Sequence, residues 1–557
     1  MVYKTHIRTL DDDSLLQIFN YYRQEQEVDW NFRLAWRTIA HVCRRWRHLV
    51  YDTSSHLGVC LLLTHDSPSL DTLSHLPPLP LAIDYSDRTW TITQRDEDNI
   101  RFGLLQHRRV RRVALSAPTS SLRFWLEPMN NLFPRLTDLS LLSTTTEEMG
   151  LVLPETFQAP DLRCLALQGI GLLKGFPSLS SMITLSTLSL THIGSYSHSS
   201  PGHLVTLLQG LPHLEELSIG FASQIPLPSS EGEQVLAPIS IVTLPSLKRL
   251  TFWGVDVYLE NLVARINTPR LERLNSNLLF ELAFTLVNLT KFILRTEGFE
   301  CLVARIVFSK DSASMDAGHY GQLERSYGKL SLHVSCKRLD QQIDSATQFC
   351  SALGKVLFAV EELTLGLDVG GMPSNWENTL DSVVWLEILR PFVGVKKLHV
   401  GYSLTLRLSR ALRTDARGLV PNLLPSLQGL VVQLGIDHAK REFYGFIRTR
   451  ESVGRPVVLL APPILPIPRA GPRGSRAETR VLYAEPRVPR LLADQRVLRA
   501  DPEVPRAVHH KDSKEFLECM DHVRSPYRNR AMNLISTCRF FIQAQKQNFR
   551  SYDELRR

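Results

Sequence analysis

One short hydrophobic pattern recurs along most of the chain. Apolar residues follow the spacing Leu-x-x-Leu-x-Leu, with Val, Ile or Phe as substitutes, in ten separate copies. The copies occupy residues 110–115, 136–141, 162–167, 185–190, 214–219, 247–252, 289–294, 360–365, 395–400 and 427–432. Alternating apolar residues are typical of a strand with one packed face. Tandem strands of this kind build a solenoid, so we predict a leucine-rich-repeat-like region over residues 106–461.

The repeats are irregular. Four of them follow a proline, which cannot continue a helix and therefore fits a turn from helix into strand; these are Pro134, Pro212, Pro245 and Pro425. Successive copies lie about 23 to 35 residues apart in most places, and the interval between 294 and 360 is longer. The predicted fold class is therefore α/β, with an imperfectly regular solenoid as its main part.

A different periodicity precedes the repeats. The carboxylates of Asp11–Asp13 are suited to cap a helix. After them, apolar residues recur at three- and four-residue spacing, as one face of a helix requires: Leu15, Ile18, Phe19 and Tyr22. A second helix is predicted from about Trp30 to Asp52, with Val42, Cys43 and Trp46 on one packed face. We assign residues 1–56 to a helical domain and residues 57–105 to a linker or cap.

The net charge of +8 belongs to the C-terminal tail. Residues 462–557 hold 19 Lys+Arg and 11 Asp+Glu, whereas residues 1–461 hold 45 of each. The start of the tail is rich in Pro, Arg and Gly, and "RVLYAEPRVPR" is echoed by "RVLRADPEVPR", so we predict a mostly disordered segment. One interpretation is a basic arm for an acidic partner or RNA. The preferred interpretation is a lineage-specific extension or an artefact of the gene prediction.

No motif for catalysis, metal binding or a cofactor is found. The sequence has no nucleophile elbow, phosphate-binding loop or zinc-protease motif, and its eight cysteines lack zinc spacing. We therefore predict a non-enzymatic protein without cofactors, with mostly buried free thiols. Without a signal peptide or a long apolar run, a cytoplasmic or nuclear protein with no membrane association is expected.

The N-terminal residues resemble an F-box. "LDDDSLLQIF" at 10–19, followed by "VCRRW" at 42–46, is similar to the family pattern Leu-Pro-x-Glu-(Leu/Ile)-Leu-x-x-Ile-(Phe/Leu) and then Val-Cys-(Lys/Arg)-x-Trp. The segment 57–85 resembles the part that follows the F-box in many fungal F-box proteins. The sequence departs from the pattern at Asp11, where the family usually has proline.

This resemblance implies a substrate-recognition subunit of a Skp–cullin–F-box ubiquitin ligase. The family's adaptor contacts would then fall on Leu10, Leu15, Leu16, Ile18, Phe19, Val42, Cys43 and Trp46. The implied partners are the Skp-type adaptor with its cullin core and an unknown protein substrate. Catalysis would reside in other subunits.

Substrate contacts are predicted on the side of the repeat strands that faces away from the core. Strand alternation places Arg249, Thr251 and Trp253 on that side, and Lys397 and His399 on the same side of a later copy. A tryptophan beside an arginine is typical of interface hot spots, but Trp253 is equally well interpreted as packing under a loop.

Two other function classes stay open from the sequence. The first is a repeat scaffold that has lost its adaptor, for which Asp11 is the relevant residue. The second is nucleic-acid binding through the basic tail, although the neutral body makes nucleic acid an unexpected partner.

Overall fold

The fold was analysed in a computed structural model of the chain. The structure describes residues 10–25, 39–53, 57, 59–65, 67, 79–87, 89–145, 151–154, 156–171, 182–193, 200–221, 241–279, 286–320, 328–336, 338–367, 382–413, 423–433 and 436–460. The predicted disordered tail, residues 462–557, lies outside the described residues, as do Trp30 to Thr38 of the second predicted helix.

The described residues form helices with the following bounds. They are α1 (Asp12–Glu25), α2 (Arg44–Asp52), α3 (Gln94–Leu105), α4 (Thr119–Leu126), α5 (Pro201–Leu208), α6 (Asp256–Val263), α7 (Val287–Arg295), α8 (Leu339–Ala352), α9 (Gly354–Leu357), α10 (Ser382–Leu389), α11 (Thr405–Arg413) and α12 (Ile436–Ser452). Two short 3-10 helices cover Glu127–Met129 and Tyr402–Leu404.

The described residues also form strands with the following bounds. They are β1 (Leu61–Leu63), β2 (Leu81–Tyr85), β3 (Val110–Ala117), β4 (Asp138–Ser143), β5 (Leu151–Val152), β6 (Cys164–Gln168), β7 (Ile170–Gly171), β8 (Thr187–Ile193), β9 (Glu216–Phe221), β10 (Val242–Thr243), β11 (Arg249–Gly254), β12 (Ile266–Asn267), β13 (Arg273–Leu279), β14 (Val303–Phe308), β15 (Ser312–Gly318), β16 (Leu330–Ser335), β17 (Glu362–Leu367), β18 (Lys397–Val400), β19 (Gly429–Val432) and β20 (Val458–Leu460).

One long sheet organises the chain. Its sixteen strands lie in the order β1-β2-β3-β4-β6-β8-β9-β11-β13-β16-β15-β14-β17-β18-β19-β20. Neighbouring strands are parallel except at β15, which is antiparallel to both of its neighbours. Two small parallel pairs, β5 with β7 and β10 with β12, accompany it. Strands that stack almost in chain order, one per repeat, make a leucine-rich-repeat-like solenoid.

The leucines of the repeat form continuous buried rows. One row runs through equivalent positions of six neighbouring strands: Leu139, Leu165, Leu188, Leu217, Leu250 and Leu274. Every member of this row is at most 1% exposed. Because each side chain packs against its copies on both sides, the solenoid buries a core that a single repeat lacks. Nine of the ten predicted strand copies lie in or directly before strands, which confirms them.

The tenth copy is wrong. Residues 289–294, "LTKFIL", lie within α7, where Leu289, Phe292 and Ile293 are buried and Leu294 is exposed. Spacings of three and four residues place these three side chains on one helical face. One strand that the pattern missed is β13, in which the last leucine position is occupied by the buried Ser276.

The long interval between the copies at 294 and 360 contains three strands, of which the middle one is antiparallel to the other two. After α7 the chain enters β14, turns back through β15, and places β16 beside β13. The turn between β14 and β15 is closed by the backbone N–H of Ser309, which donates to the carbonyl oxygen of Ser312 at 2.8 Å. The next repeat resumes at β17, which pairs with β14. We call β14, β15 and β16 the inserted meander.

The segment 57–105 forms part of the sheet. Strand β1 pairs with β2, and β2 pairs with β3, so β1 and β2 are the first two strands of the same sheet. Helix α3 covers them, since a Cβ built on Gly103 would lie 2.7 Å from Cδ1 of Ile83. The sequence interpretation as a linker or cap overlooked these strands because "LLL" and "LAIDY" do not follow the repeat pattern.

Candidate protein-binding surfaces

Helix α1 begins as the sequence predicts. Asp11 precedes it, and the backbone N–H of Ser14 donates to Oδ1 of Asp11 at 2.7 Å. This hydrogen bond lowers the pKa of the Asp11 carboxyl, because it stabilises the ionised form. Asp11, which stands where F-boxes usually have proline, therefore acts as a helix N-cap.

Helices α1 and α2 contact each other through an aromatic pair and through Arg45. The rings of Phe19 and Trp46 meet edge to face with their centroids 4.8 Å apart. At the surface, Nη2 of Arg45 lies 2.6 Å from Oδ1 of Asp12 and donates to the carbonyl oxygen of Leu10 at 2.7 Å. The aromatic pair supplies apolar burial, and the arginine fixes how the start of α1 sits against α2.

The eight predicted adaptor residues differ in exposure. Four of them are buried within the protein: Leu15, Ile18, Phe19 and Trp46. Three are partly buried against the core: Leu10, Leu16 and Val42. Only this second group and Cys43 keep a surface that a partner can contact, and the buried four maintain the helix pair.

The predicted packed face of the second helix is wrong at Cys43. Helix α2 starts at Arg44, and Cys43 is its N-cap with φ −160° and ψ 170°, an extended conformation. Residues 41–43 are not helical, so the predicted helix from about Trp30 to Asp52 is interrupted there and neither Val42 nor Cys43 shares a helical face with Trp46. The Cys43 side chain is exposed. The expectation of buried thiols holds for Cys301 and Cys350, whereas Cys60, Cys164 and Cys336 are half-buried.

The second surface is the face of the long sheet away from its leucine rows, which we call the open face. On β11 it presents Arg249, Thr251 and Trp253, which alternate with the buried Leu250 and Phe252. Their placement agrees with the strand alternation expected from the sequence.

Neighbouring strands complete the surroundings of this triplet. Arg249 forms an ion pair with Glu216 on β9. Trp253 pairs in register with Gly220, and a Cβ built there would lie 3.2 Å from Cε3 of the indole. The Trp253 ring therefore lies over a glycine and is half-buried on the sheet.

Lys397 and His399, the other predicted substrate contacts, lie elsewhere on the open face. Lys397 is exposed on β18, and Nε2 of His399 lies 2.7 Å from Oε1 of Glu362 on β17. In the sheet order five strands separate β11 from β18. At about 4.8 Å per strand, the two groups are roughly 29 Å apart. They form separate patches, so a partner that contacts both must be extended along the sheet.

Polar residues of the inserted meander and β13 fill the space between these patches. The register places Ser331 between Asn275 and Asp316, and Asp316 between Ser331 and Arg305. The Ser331 hydroxyl donates to Oδ1 of Asp316 at 2.6 Å. Burial raises the pKa of the Asp316 carboxyl, and the Ser331 hydrogen bond opposes that shift.

His333 lies two residues after Ser331 on β16 and therefore on the same side of the strand. It pairs in register with Asn277 on β13 and Ser314 on β15. Burial lowers its pKa, because a charged imidazolium is poorly solvated there. Sequence reasoning missed these residues because "SASMDAG" of β15 has no leucine. A period-two pattern of small and polar residues was the only available signal.

Two further features were absent from the sequence pattern and are also absent from the described ranges: clustered metal ligands and membrane-spanning helices. No group of three or more His, Cys, Asp and Glu side chains there is placed to hold a metal ion. None of the helices in the described ranges is long and apolar enough to cross a bilayer.

Comparison with known proteins gives little beyond a general likeness. No family model matches the sequence, and no curated protein matches it. A solved structure similar to this chain is the leucine-rich repeat-containing protein LegL7 from Legionella pneumophila, at 13% identity and a TM-score of 0.24, covering 70% of this chain and 98% of that one. InlP from Listeria monocytogenes is 15% identical with a TM-score of 0.18, covering 43% of this chain and 73% of that one. The description as a leucine-rich-repeat-like solenoid, an architecture that generally provides protein-interaction surfaces, therefore rests on the strand order and register of this chain.

Proposed function

We propose that this protein is the substrate-recognition subunit of a Skp–cullin–F-box ubiquitin ligase. The N-terminal helices bind the Skp-type adaptor, the open face holds a protein substrate, and the catalytic steps belong to other subunits. The proposal places the protein in the cytoplasm or nucleus, where such a ligase would meet its substrates.

The observation that carries the proposal is the pairing of the two motif halves. Residues 10–19 and 42–46 resemble the two conserved parts of an F-box, and they meet through the Phe19–Trp46 contact. Leu10, Leu16 and Val42 keep partly exposed apolar surface beside this contact. Apolar side chains rimmed by charges are suited to a protein interface.

The test is capture of the full chain by purified Skp-type adaptor. Leu16→Ala and Val42→Ala remove apolar surface from the proposed interface, and we expect the double variant to bind roughly tenfold more weakly or worse. Leu105→Ala is the matched control, because Leu105 is an exposed leucine on α3, outside the proposed interface. Circular dichroism checks that each variant is folded.

The structure guides the choice of these positions. Phe19→Ala and Trp46→Ala would open cavities in the helix pair, since both side chains are buried. Loss of binding in those variants would not separate a contact from a folding defect. Equal binding by the double variant and the wild type would contradict the proposed interface.

A repeat scaffold without a ligase role is the second candidate. The observation that favours it is Asp11, whose carboxylate caps α1 where the family presents an apolar proline. A carboxylate supplies no apolar contact to the adaptor. Failure of the folded wild-type chain to bind adaptor, with the solenoid intact, would favour this candidate.

A further inference from the structure

Charge is distributed unevenly along the solenoid. Residues 382–461 carry 12 Lys+Arg against 5 Asp+Glu, whereas residues 1–381 carry 33 against 40. The C-terminal repeats are therefore electropositive although the body as a whole is neutral. The basic tail follows immediately and has the same sign. A surface of one sign at one end of a solenoid attracts polyanions.

Helix α12 concentrates this charge on an exposed face. Lys440, Arg441, Tyr444 and Arg448 are exposed, whereas Ala439, Phe443 and Phe446 on its other side are buried. Arg441, Tyr444 and Arg448 recur at three- and four-residue spacing, so they share one stripe. The acidic residues of α12 with exposed side chains, Asp437 and Glu451, stand in its first and last turns.

The carboxylate in the middle of α12 is turned away from this stripe. Glu442 is half-buried, and its Oε2 accepts a hydrogen bond from the Ser409 hydroxyl of α11 at 3.3 Å. Within the part of the chain that the structure describes, neither Lys440 nor Arg441 forms an ion pair. Their positive charge is thus available to a partner.

An aromatic ring lies among these cations. The side chain of Tyr444 is 59% exposed, which is unusual for an aromatic residue on a packed helix. The guanidinium carbon of Arg448 lies 5.8 Å from the ring centroid, and Nη1 of Arg448 donates to the Tyr444 hydroxyl at 3.0 Å. The arginine holds the ring in place, with aromatic surface still exposed to solvent.

We infer that the exposed stripe of α12 binds single-stranded nucleic acid. Lys440, Arg441 and Arg448 contact phosphates, and a base stacks on Tyr444. Proteins that bind single strands without sequence preference combine a positive surface with an exposed aromatic ring in this way. An acidic protein would be attracted by the cations but would gain little from the ring. The inference is independent of the ligase proposal.

The test measures fluorescence anisotropy of labelled oligouridine with the full chain. The oligonucleotide exceeds the site size of about 4–16 nucleotides, and titrations are made at about 50 and 200 mM salt. We expect the Lys440→Glu, Arg441→Glu, Arg448→Glu variant to bind at least tenfold more weakly. Loss of three phosphate contacts should reduce the slope of log affinity against log salt by about 2.

Two matched triple variants have the same change in net charge. Arg108→Glu, Arg111→Glu, Arg135→Glu reverses exposed cations near the other end of the sheet. Arg487→Glu, Arg490→Glu, Arg496→Glu reverses cations of the tail. We expect both to retain at least a third of the wild-type affinity. Equal loss in the first control would overturn the inference in favour of a net-charge effect, and a larger loss in the second would assign binding to the tail.

Tyr444→Ala separates nucleic acid from acidic protein. Stacking of one base contributes about 1–3 kcal/mol, so oligouridine affinity should fall roughly 5- to 150-fold. Polyglutamate serves as the acidic-polypeptide probe. Polyglutamate binding as tight as that of oligouridine, with no effect of Tyr444→Ala on either, would overturn the inference. An absence of oligouridine binding by the wild-type chain at the lower salt would also overturn it.

Discussion

The indole of Trp253 on β11 lies over Gly220 on the neighbouring strand β9. This contact places a large half-buried aromatic surface on the open face, next to the ion pair between Arg249 and Glu216. The ring packs on the sheet itself, so its position is set by a glycine.

Gly220→Ala should displace the indole. An added Cβ would lie 3.2 Å from Cε3 of Trp253 and 3.5 Å from Cγ2 of Thr191, so the ring has to move. We expect a loss of about 1 kcal/mol in the free energy of unfolding and a change in tryptophan fluorescence of the native protein. Chemical denaturation and emission spectra measure the two effects.

Gly202→Ala is the control for this substitution. Its Cβ would meet nothing closer than Oγ of Ser200 at 4.0 Å, and it lies in helix α5. Alanine there should be neutral or stabilising by up to about 1 kcal/mol. If Gly220→Ala left both stability and emission unchanged, the packing of Trp253 over Gly220 would be refuted.

Ser276→Ala should stabilise the protein. Ser276 occupies a leucine position of β13, is 3% exposed, and its Oγ has no hydrogen-bond partner among the described residues. Removing a buried unsatisfied hydroxyl is worth about 1 kcal/mol or slightly more. The measurement is the midpoint of urea unfolding. Ser331→Ala, which deletes the hydrogen bond to Asp316, should be destabilising by a similar amount.

Glu260 should be required for docking of α7. Its carboxylate accepts the backbone N–H groups of Asn288 and Leu289 at 2.6 and 2.8 Å, at the start of that helix. Burial raises the pKa of Glu260, and these two hydrogen bonds oppose the rise. Glu260→Ala should cost about 1–3 kcal/mol, because the buried N–H of Leu289 and the half-buried N–H of Asn288 lose their acceptor. Glu260→Gln keeps one acceptor oxygen and should cost less, which calorimetry can distinguish.

His333 should make stability fall in mild acid. Burial lowers the pKa of His333 below its ordinary value of about 6.5, so the unfolded chain binds the proton more readily than the native protein. Stability contributed by the neutral imidazole is therefore complete above pH 6.5 and is lost as pH falls through and below it. The slope from this group is at most about 1.4 kcal/mol per pH unit.

Comparison of urea unfolding at several pH values isolates this contribution. His333→Gln should flatten the curve between pH 6.5 and 5. His41→Gln, at an exposed histidine, is the matched control. An identical acid dependence in wild type and His333→Gln would show that the imidazole is not responsible.

Much of the solenoid was predictable because its leucines act locally and repeatedly. Leu136, Leu162, Leu185 and Leu214 each open a copy of the pattern, and each is buried at the turn into its strand. The failure at 289–294 has the same origin. The first two leucine positions of the pattern are three residues apart, a spacing that also places two side chains on one face of a helix. Sequence spacing alone does not separate the two conformations there.

The inserted meander was not predictable from that pattern. Its central strand β15 points Ala313, Met315 and Ala317 inward, so small residues replace leucines where the strand runs antiparallel. Some polar residues of the open face come together through pairing of strands distant in sequence, as when Asn275 on β13 pairs with Ser331 on β16. For the N-terminal helices, the cap at Asp11 followed from local chemistry, whereas the exposure of Cys43 depended on the residue at which α2 begins.

The most direct test of the proposed function is isothermal titration of the full chain with purified Skp-type adaptor. The proposal predicts a one-to-one complex with a Kd of about 1 μM or tighter, corresponding to roughly −8 kcal/mol. The Leu16→Ala, Val42→Ala variant should lose this affinity, and Leu105→Ala should keep it. No measurable binding by a folded wild-type chain would contradict the ligase role and leave a leucine-rich-repeat-like scaffold.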